Sequence, residues 1–559
     1  MKNSRIAKVV GLTLGLALAG APRAASAAGC GDLNNDGQVT IVDVVRMANC
    51  VAGLCNEATE CGGAGLATCG DTYGDGSVGV AQTDDLDQLV RKVAGLESLH
   101  DMCAPVGADI SCPGGTVTLT SGTISSSQRW PASCLVKLAG TVLVDSPTGG
   151  PTTVLTIEAG ATVEGVKGTV DPATLIVLPG AKISAIGSAA NPIVFTSDQP
   201  AGSRAKGDWG GLMLNGQSTV NRPNCTNAAE GVPESYGGCD ANDSSGALRY
   251  VRVEYAGRLF TPNNELNNFT MNGIGRGTDI SYVHSNVGAD DCIEWFGGTV
   301  NSNHMVASGC ADDAFDWQLG FTGSMQYGLY IANGQLTDAG ARDSRGIEAD
   351  NSEFGNNDLP RSNPAMCNLT LVSARSQSGG DNGGSDSGIL FRRGTAGQVA
   401  NVIVTGFQDA GVELRDVSTT QVACINDDPN TPPESLTGSL LVQSAIFYEN
   451  GDFPGAGTEQ AKTGAIAGGN CSTPQWYALL PNVTADGANP VNPNISTEYP
   501  AANTLFDARP SAPITGAPTA ADCTLLSDVF ESAPYIGAMD PNGPANGWLS
   551  TPWNNFNVN

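Results

Sequence analysis

Carboxylates at a fixed step are the residues with the most chemistry to offer. Asp290-Asp291-Cys292-Ile293-Glu294-Trp295 recurs 22 residues on as Asp312-Asp313-Ala314-Phe315-Asp316-Trp317. Two carboxyl groups about 5 Å apart serve retaining glycoside hydrolysis and wider pairs the inverting kind, which makes Asp290, Asp291, Glu294, Asp312, Asp313 and Asp316 the catalytic candidates. The same oxygens suit Ca2+, which takes about 6 to 8 hard ligands. A third use is structural, because aspartates in turns accept hydrogen bonds from backbone amides. Like charges this close raise one another's pKa. A cation, a shared proton or hydrogen bonds must therefore neutralise them. Trp295 and Trp317, which follow the two motifs, either stack on sugar rings or pack between coils.

A second pattern lies near the start. Asp32-Leu33-Asn34-Asn35-Asp36-Gly37-Gln38-Val39-Thr40-Ile41-Val42-Asp43 has the spacing of a 12-residue calcium loop. Asp32, Asn34 and Asp36 point inward at alternate positions and Gly37 allows the sharp turn. Gln38 offers its carbonyl, Thr40 holds a water and Asp43 closes the loop. A second copy uses Asp71, Asp75, Ser77 and Asp85, and the helical stretches after the two loops end alike, in Val51-Ala52-Gly53-Leu54 and Val93-Ala94-Gly95-Leu96. Two loop-helix units closed by Asp resemble a type I dockerin module over about residues 29–98. The second unit departs from the pattern, with Tyr73 where Asp or Asn is usual and three extra residues before Asp85. The resemblance implies Ca2+ as ligand and a cohesin-like protein as partner.

The elements that must hold the larger carboxylate set are strands. From Thr116 the hydrophobic period becomes two and Gly marks the turns. Leu135 to Gly140, Leu155 to Gly160 and Leu175 to Gly180 align at a step of 20, which reads as one coil per repeat. Ser344-Arg345-Gly346-Ile347-Glu348, Asp386-Ser387-Gly388-Ile389-Leu390 and Asp409-Ala410-Gly411-Val412-Glu413 continue the Asp290 and Asp312 motifs as further rungs. The expected fold is mainly β, a parallel β-helix of the pectin-lyase-like kind behind a small α-helical dockerin-like domain. The expected division is a signal peptide at 1–27, the dockerin-like domain at 28–98, a linker at 99–115 and the β-helix at 116–559. Its Pro- and Asn-rich C-terminal stretch reads as loops over the last coils, with Trp548, Trp553 and Phe556 as an apolar cap on the final one. Pro192-Ile193-Val194-Phe195-Thr196-Ser197-Asp198, Gly207-Asp208-Trp209-Gly210-Gly211-Leu212, the two acidic motifs, Tyr535-Ile536-Gly537-Ala538 and Gly547-Trp548 resemble a family of bacterial cell-surface proteins that includes a leptospiral outer-membrane lipoprotein. That resemblance implies a right-handed β-helix at the surface and carries no established activity.

Composition sets the compartment and excludes partners. The chain has 559 residues with 27 basic against 56 acidic, a net charge of -29 that opposes nucleic acid and anionic membranes. Lys2, Arg5 and Lys8, the apolar run from Val9 to Gly20 and Ala25-Ser26-Ala27 form an export signal. Ala28-Gly29-Cys30 also offers a lipidation reading. No later segment is apolar enough to span a membrane as a helix. All 16 cysteines follow the cleavage site, which favours disulfides, with Cys225–Cys239 and Cys112–Cys134 as local candidates. His284 and His304 are spaced for neighbouring coils, as a zinc pair or as exposed stacked imidazoles. The expected function is that of a secreted or cell-surface calcium-binding β-helix protein for adhesion or polysaccharide binding, attached through the dockerin-like module. The alternative is a polysaccharide lyase or glycoside hydrolase using the stacked carboxylates, with Arg392, Arg393 and Arg415 as basic groups for a lyase.

Overall fold

The computed structural model describes residues 107–559 apart from 262–263, 334–343, 374–386, 427–432, 434, 452–458, 465, 485–490, 496–498, 501–503, 512–513, 545 and 558–559. The signal peptide, the dockerin-like domain and residues 99–106 of the linker lie outside the described residues. From Ala108 to Tyr448 the strands build one parallel β-helix. Twenty-three of them form a continuous sheet in which every pairing is parallel and each strand lies on its equivalent in the next coil.

Three ladders run along this helix. The first joins the short strands Thr174–Val177, Gly211–Asn215, Phe269–Asn272, Ile293–Phe296, Phe315–Gln318, Ile347–Asp350, Ser387–Arg392 and Ala410–Leu414. The second and third are the two halves of longer strands such as Gly246–Glu254, Asp279–Asn286, Asn301–Ser308 and Ser324–Ile331. One residue interrupts the pairing between the halves. In successive coils it is Tyr250, Tyr282, His304, Tyr327, Asn368, Asn401 and Ser444, with φ between 50° and 64°. A single left-handed residue bends a strand sharply without a loop, at a steric cost that Asn tolerates better than most side chains. Stacked at a strand spacing of about 4.8 Å, these residues form a corner row in which Tyr250, Tyr282 and His304 lie ring on ring, 4.4 and 4.2 Å between centroids.

Alternation along each short strand separates core from exterior. Ile293, Trp295, Phe315, Trp317, Ile347 and Ala349 point inward and are fully buried. Trp295 and Trp317 thus pack inside the coils and have no face for a sugar. The coil itself is longer than the sequence period. Val136 pairs with Val163 and Leu155 with Ile183, so a coil here takes 27 or 28 residues, and the segments at Leu135, Leu155 and Leu175 fall on three different ladders. The step of 20 is the recurrence of a similar strand-turn unit around the coil, not of the coil. Downstream the rungs are as the motifs predict, with Ile293, Phe315, Ile347, Ile389 and Val412 in register.

The C-terminal stretch does not cap the final coil. That end is closed by the helices Val417–Ala423 and Thr473–Tyr477, where Trp476 meets Phe391 at 5.9 Å, Tyr477 meets Phe447 at 5.5 Å and Cys424 is bonded to Cys471. Residues 521–557 run back along the outside instead. Ala521 pairs its N–H and C=O with the Asn401 side chain at 2.7 and 3.0 Å, Glu531 does the same with Gln326 at 2.8 and 2.9 Å, and Asn555 N–H donates to His284 Nδ1 at 3.3 Å. The reason is apolar surface. Val306, Leu329, Ile331 and Val372 face outward and are covered by Ala538, Met539, Leu549, Trp553 and Phe556. A Cys367–Cys523 disulfide fastens this strap to the coil. The two local pairings, Cys112–Cys134 and Cys225–Cys239, are present, and all described cysteines are bonded.

Candidate functional site

All six catalytic candidates come together at the corner leading into the first ladder and on its outer face. Two of them do backbone work. Asp313 N–H donates to Asp291 Oδ1 at 2.8 Å, Arg345 N–H donates to Asp313 Oδ1 at 2.5 Å, and one coil earlier Asp291 N–H donates to the Asn267 side-chain oxygen at 3.2 Å. Asn267, Asp291 and Asp313 are a corner ladder in which each side chain satisfies the next coil's amide. Here the turn reading holds.

On the outer face a single row runs Ile176, Met213, Thr270, Glu294, Asp316, Glu348, Leu390, Glu413 in register. Its first members are apolar and pack with Val220 and with Tyr236, which lies in the side loop that Cys225–Cys239 closes. The charged members behave differently at the two ends. Towards the C-terminus, Arg345 lies 2.5 Å from Glu348 and 3.4 Å from Asp313, Arg392 holds Glu348 and Asp350, and Arg393 holds Asp350 at 2.9 Å. Arg415 is taken up by Glu413 at 2.9 Å. The three lyase candidates Arg392, Arg393 and Arg415 are therefore ion-paired.

One coil back the arginines stop. Asp291, Glu294 and Asp316 are only 6%, 4% and 8% exposed, each offers an oxygen within 4.8 Å of the others, and among the described residues none of the three forms an ion pair. Glu294 is held by Gln318 Nε2 at 3.0 Å and by Asn267. Asp316 Oδ1 is buried with no hydrogen-bond partner. Burial, then the neighbouring carboxylates, push Asp291 and Glu294 well above the usual carboxylate range, and burial with Asp350 and Asp313 nearby does so for Asp316 against a partial opposing pull from Arg392. Asp290 and Asp312 join the same set at its edge, within 4.8 Å of Asp291. Burial raises Asp290 too, with Asp312, Glu265 and Glu230 adding to the effect.

Sequence reasoning misses the side-loop carboxylates. Glu230 approaches from the loop above the face, and its carboxyl is pushed up to about 7 by burial and by Glu265 and Glu353 nearby. No spacing rule connects these residues to the rungs, because side loops return to the coil at points that periodicity does not encode. The histidines are not equivalent on neighbouring coils. His284 pairs in register with Val306 and is fully buried against Ser308 Oγ at 2.8 Å, whereas His304 occupies the corner row, stacked on Tyr282. The loop ligands Asp32, Asn34, Asp36, Gln38, Thr40, Asp43, Asp71, Asp75, Ser77 and Asp85 lie outside the described residues.

Residues 122–478, from the strand Thr116–Ile124 to the end of the helix Thr473–Tyr477, match the profile of a pectate-lyase-like β-helix domain. No curated protein and no solved structure matches the chain.

Proposed function

The chain belongs to the pectate-lyase-like β-helix domain family, and from that premise we propose that it is an exported, polysaccharide-associated protein whose outer carboxylate face holds Ca2+. The observation that carries the cation is the end of the row beyond the ion pairs, where Arg392 acts on Asp316 only at longer range. Asp291, Glu294 and Asp316 are buried together, and Asp316 Oδ1 is left without a partner. Burying three carboxylates without an ion-pair partner is costly, and an all-oxygen set of this kind fits a hard divalent ion. Bound there, Ca2+ neutralises the face and supplies a positive centre for the carboxylate of an acidic sugar. Asp290 and Asp312 stand at its edge. Burial of the central carboxylates beneath the side loops favours this use over general acid and base work on a glycosidic bond. The dockerin-like module, with Asp32, Asn34, Asp36 and Asp43 as its first calcium set, supplies attachment to a cohesin-like partner at the cell surface in the same reading.

The test uses the full chain carrying Asp32→Ala and Asp36→Ala, so that the first loop is silent. Ca2+ is expected to raise the melting temperature of the β-helix, and Glu294→Gln with Asp316→Asn to abolish that rise. A calcium shift that survives the pair of substitutions overturns the site. Retention on a panel of acidic and neutral glycans, with release of unsaturated or reducing ends followed in parallel, separates binding from turnover.

A further inference from the structure

The end of the strap closes over His284, and the hydrogen bonds there leave the imidazole a single protonation state. His284 lies on the outer wall of the strand Asp279–Asn286 and is fully buried. Its Nε2 meets Ser308 Oγ at 2.8 Å, and Ser308 gives its own proton to Asn286 Oδ1 at 2.7 Å. The Asn286 amide is fixed the right way round, because its Nδ2 donates to Asn557 O at 2.8 Å while Tyr499 OH donates to its Oδ1 at 3.3 Å. Towards the ring Ser308 can therefore only accept, and the proton of the neutral imidazole is on Nε2. The Nδ1 lone pair is left facing the strap, where Asn555 N–H donates to it at 3.3 Å and Asn554 Nδ2 stands at 3.5 Å.

A proton added at Nδ1 meets donors head-on, and the backbone N–H of Asn555 cannot turn into an acceptor. The surroundings do not compensate it. The strand Gly246–Glu254 brings Arg252, in register with His284, and Glu254; the strand Asn301–Ser308 brings Val306, in register, and Ser308. From the C-terminal stretch come Asn554, Asn555, Tyr499 and Phe556, whose ring lies 5.0 Å from the imidazole. Arg252 repels a second cation. The Glu254 carboxylate is already taken by Arg252 at 2.9 Å, Thr196 at 3.1 Å and Asn555 Nδ2 at 2.9 Å. Burial, with Arg252 adding to it, holds His284 well below the usual histidine range. The same few strap residues carry the remaining ties, Arg252 to Pro552 O and Tyr255 OH to Asn557 O at 3.1 Å.

We infer that residues 552–557 are an acid-released latch: a proton on His284 Nδ1 expels Asn555 and uncovers the apolar wall at Val306 and Ile331, while the coils stay folded. The latch is independent of the calcium and polysaccharide readings. His284 belongs to the coil, so opening returns it to water and to an ordinary pKa of about 6.5. The open form then binds a proton that the closed form excludes. Below that pH the share of open molecules rises about tenfold per pH unit, until the closed form is itself protonated.

Amide hydrogen exchange of the full chain, with the intrinsic rate divided out, reads the opening at residues 553–557. Protection there is expected to fall about tenfold between about pH 6 and pH 5, while the strands Asp279–Asn286 and Asn301–Ser308 keep theirs. His284→Asn leaves an acceptor oxygen near the Nδ1 position and cannot titrate, so its protection is expected to stay flat over that range. His304→Tyr, in the corner row, is expected to leave the fall in place. An equal fall in His284→Asn overturns the latch, and so does a loss of protection that the strands share, because that is global unfolding. A second measurement needs no variant to fold. In the wild type with isotope-labelled histidine, the ring of His284 is expected as the Nε2–H tautomer near neutral pH, and an Nδ1–H tautomer overturns the latch on its own.

Discussion

At the scale of the residue, the charge state of buried groups decides stability. Asp291, Glu294 and Asp316 hold folded-state pKa values above those of the open chain, so near neutral pH the folded form takes up more protons than the unfolded one. Without calcium, stability therefore falls as pH rises past about 4, the ordinary carboxylate value, towards the raised ones. Asp316→Asn is expected to raise the melting temperature in chelator, by an amount equivalent to about 1 kcal/mol or more, and to flatten the loss as pH rises above about 4. Melting with and without chelator checks both. His304 has the opposite sign. Burial, with Arg249 near, lowers it to about 3, so as pH falls below about 6.5 the unfolded chain is protonated first and stability is lost down to about 3. His304→Tyr is the fitting substitution, because Tyr282 and Tyr327 occupy the same corner row with the same positive φ. It is expected to remove that part of the acid sensitivity, seen as a smaller drop in unfolding midpoint between pH 6.5 and pH 4 than the wild type shows.

At the scale of the element, the corner row does the bending and the strap reads it. Asn401 combines φ of 54° with both hydrogen bonds to Ala521. Asn401→Gly is expected to keep the bend and lose the bonds, whereas Asn401→Val loses both and should be less stable by a further 1–2 kcal/mol or so, measured by denaturant unfolding. The rungs from Asp290 onward are legible in the sequence because each acidic motif opens a first-ladder strand, so the same two carboxylates recur when the coil closes. The step of 20 near Leu135 misleads for the converse reason. A Gly-closed turn of one type follows strands of several ladders, as at Gly160 and Gly180, and local turn chemistry then repeats faster than the coil. The pairing of Arg345 is not legible in such a reading, although its rung is. Arg345 stands where the motifs have Asp291 and Asp313, and only the structure shows that this exchange of sign ends the acidic run by pairing with Asp313 and Glu348.

At the scale of the whole molecule, the strap joins parts of the chain that are far apart in sequence. Cys367 and Cys523 are separated by 156 residues, and opening a loop of that size releases much unfolded-state entropy. Cys367→Ser with Cys523→Ser is expected to lower the melting temperature and to make residues beyond 485 the first cut by a protease, while the coils persist as a trimmed core. Binding of an apolar dye should rise as Val306, Leu329, Ile331 and Val372 are uncovered. The backward course of the strap also bears on biosynthesis. Coils can zip up in order as the chain emerges, yet the outer wall around His284 and Tyr282 stays bare until Trp553 and Phe556 arrive. A premature stop a few dozen residues short of the end would thus leave the terminus tidy and the middle of the helix sticky, so quality control would recognise such a product far from its lesion.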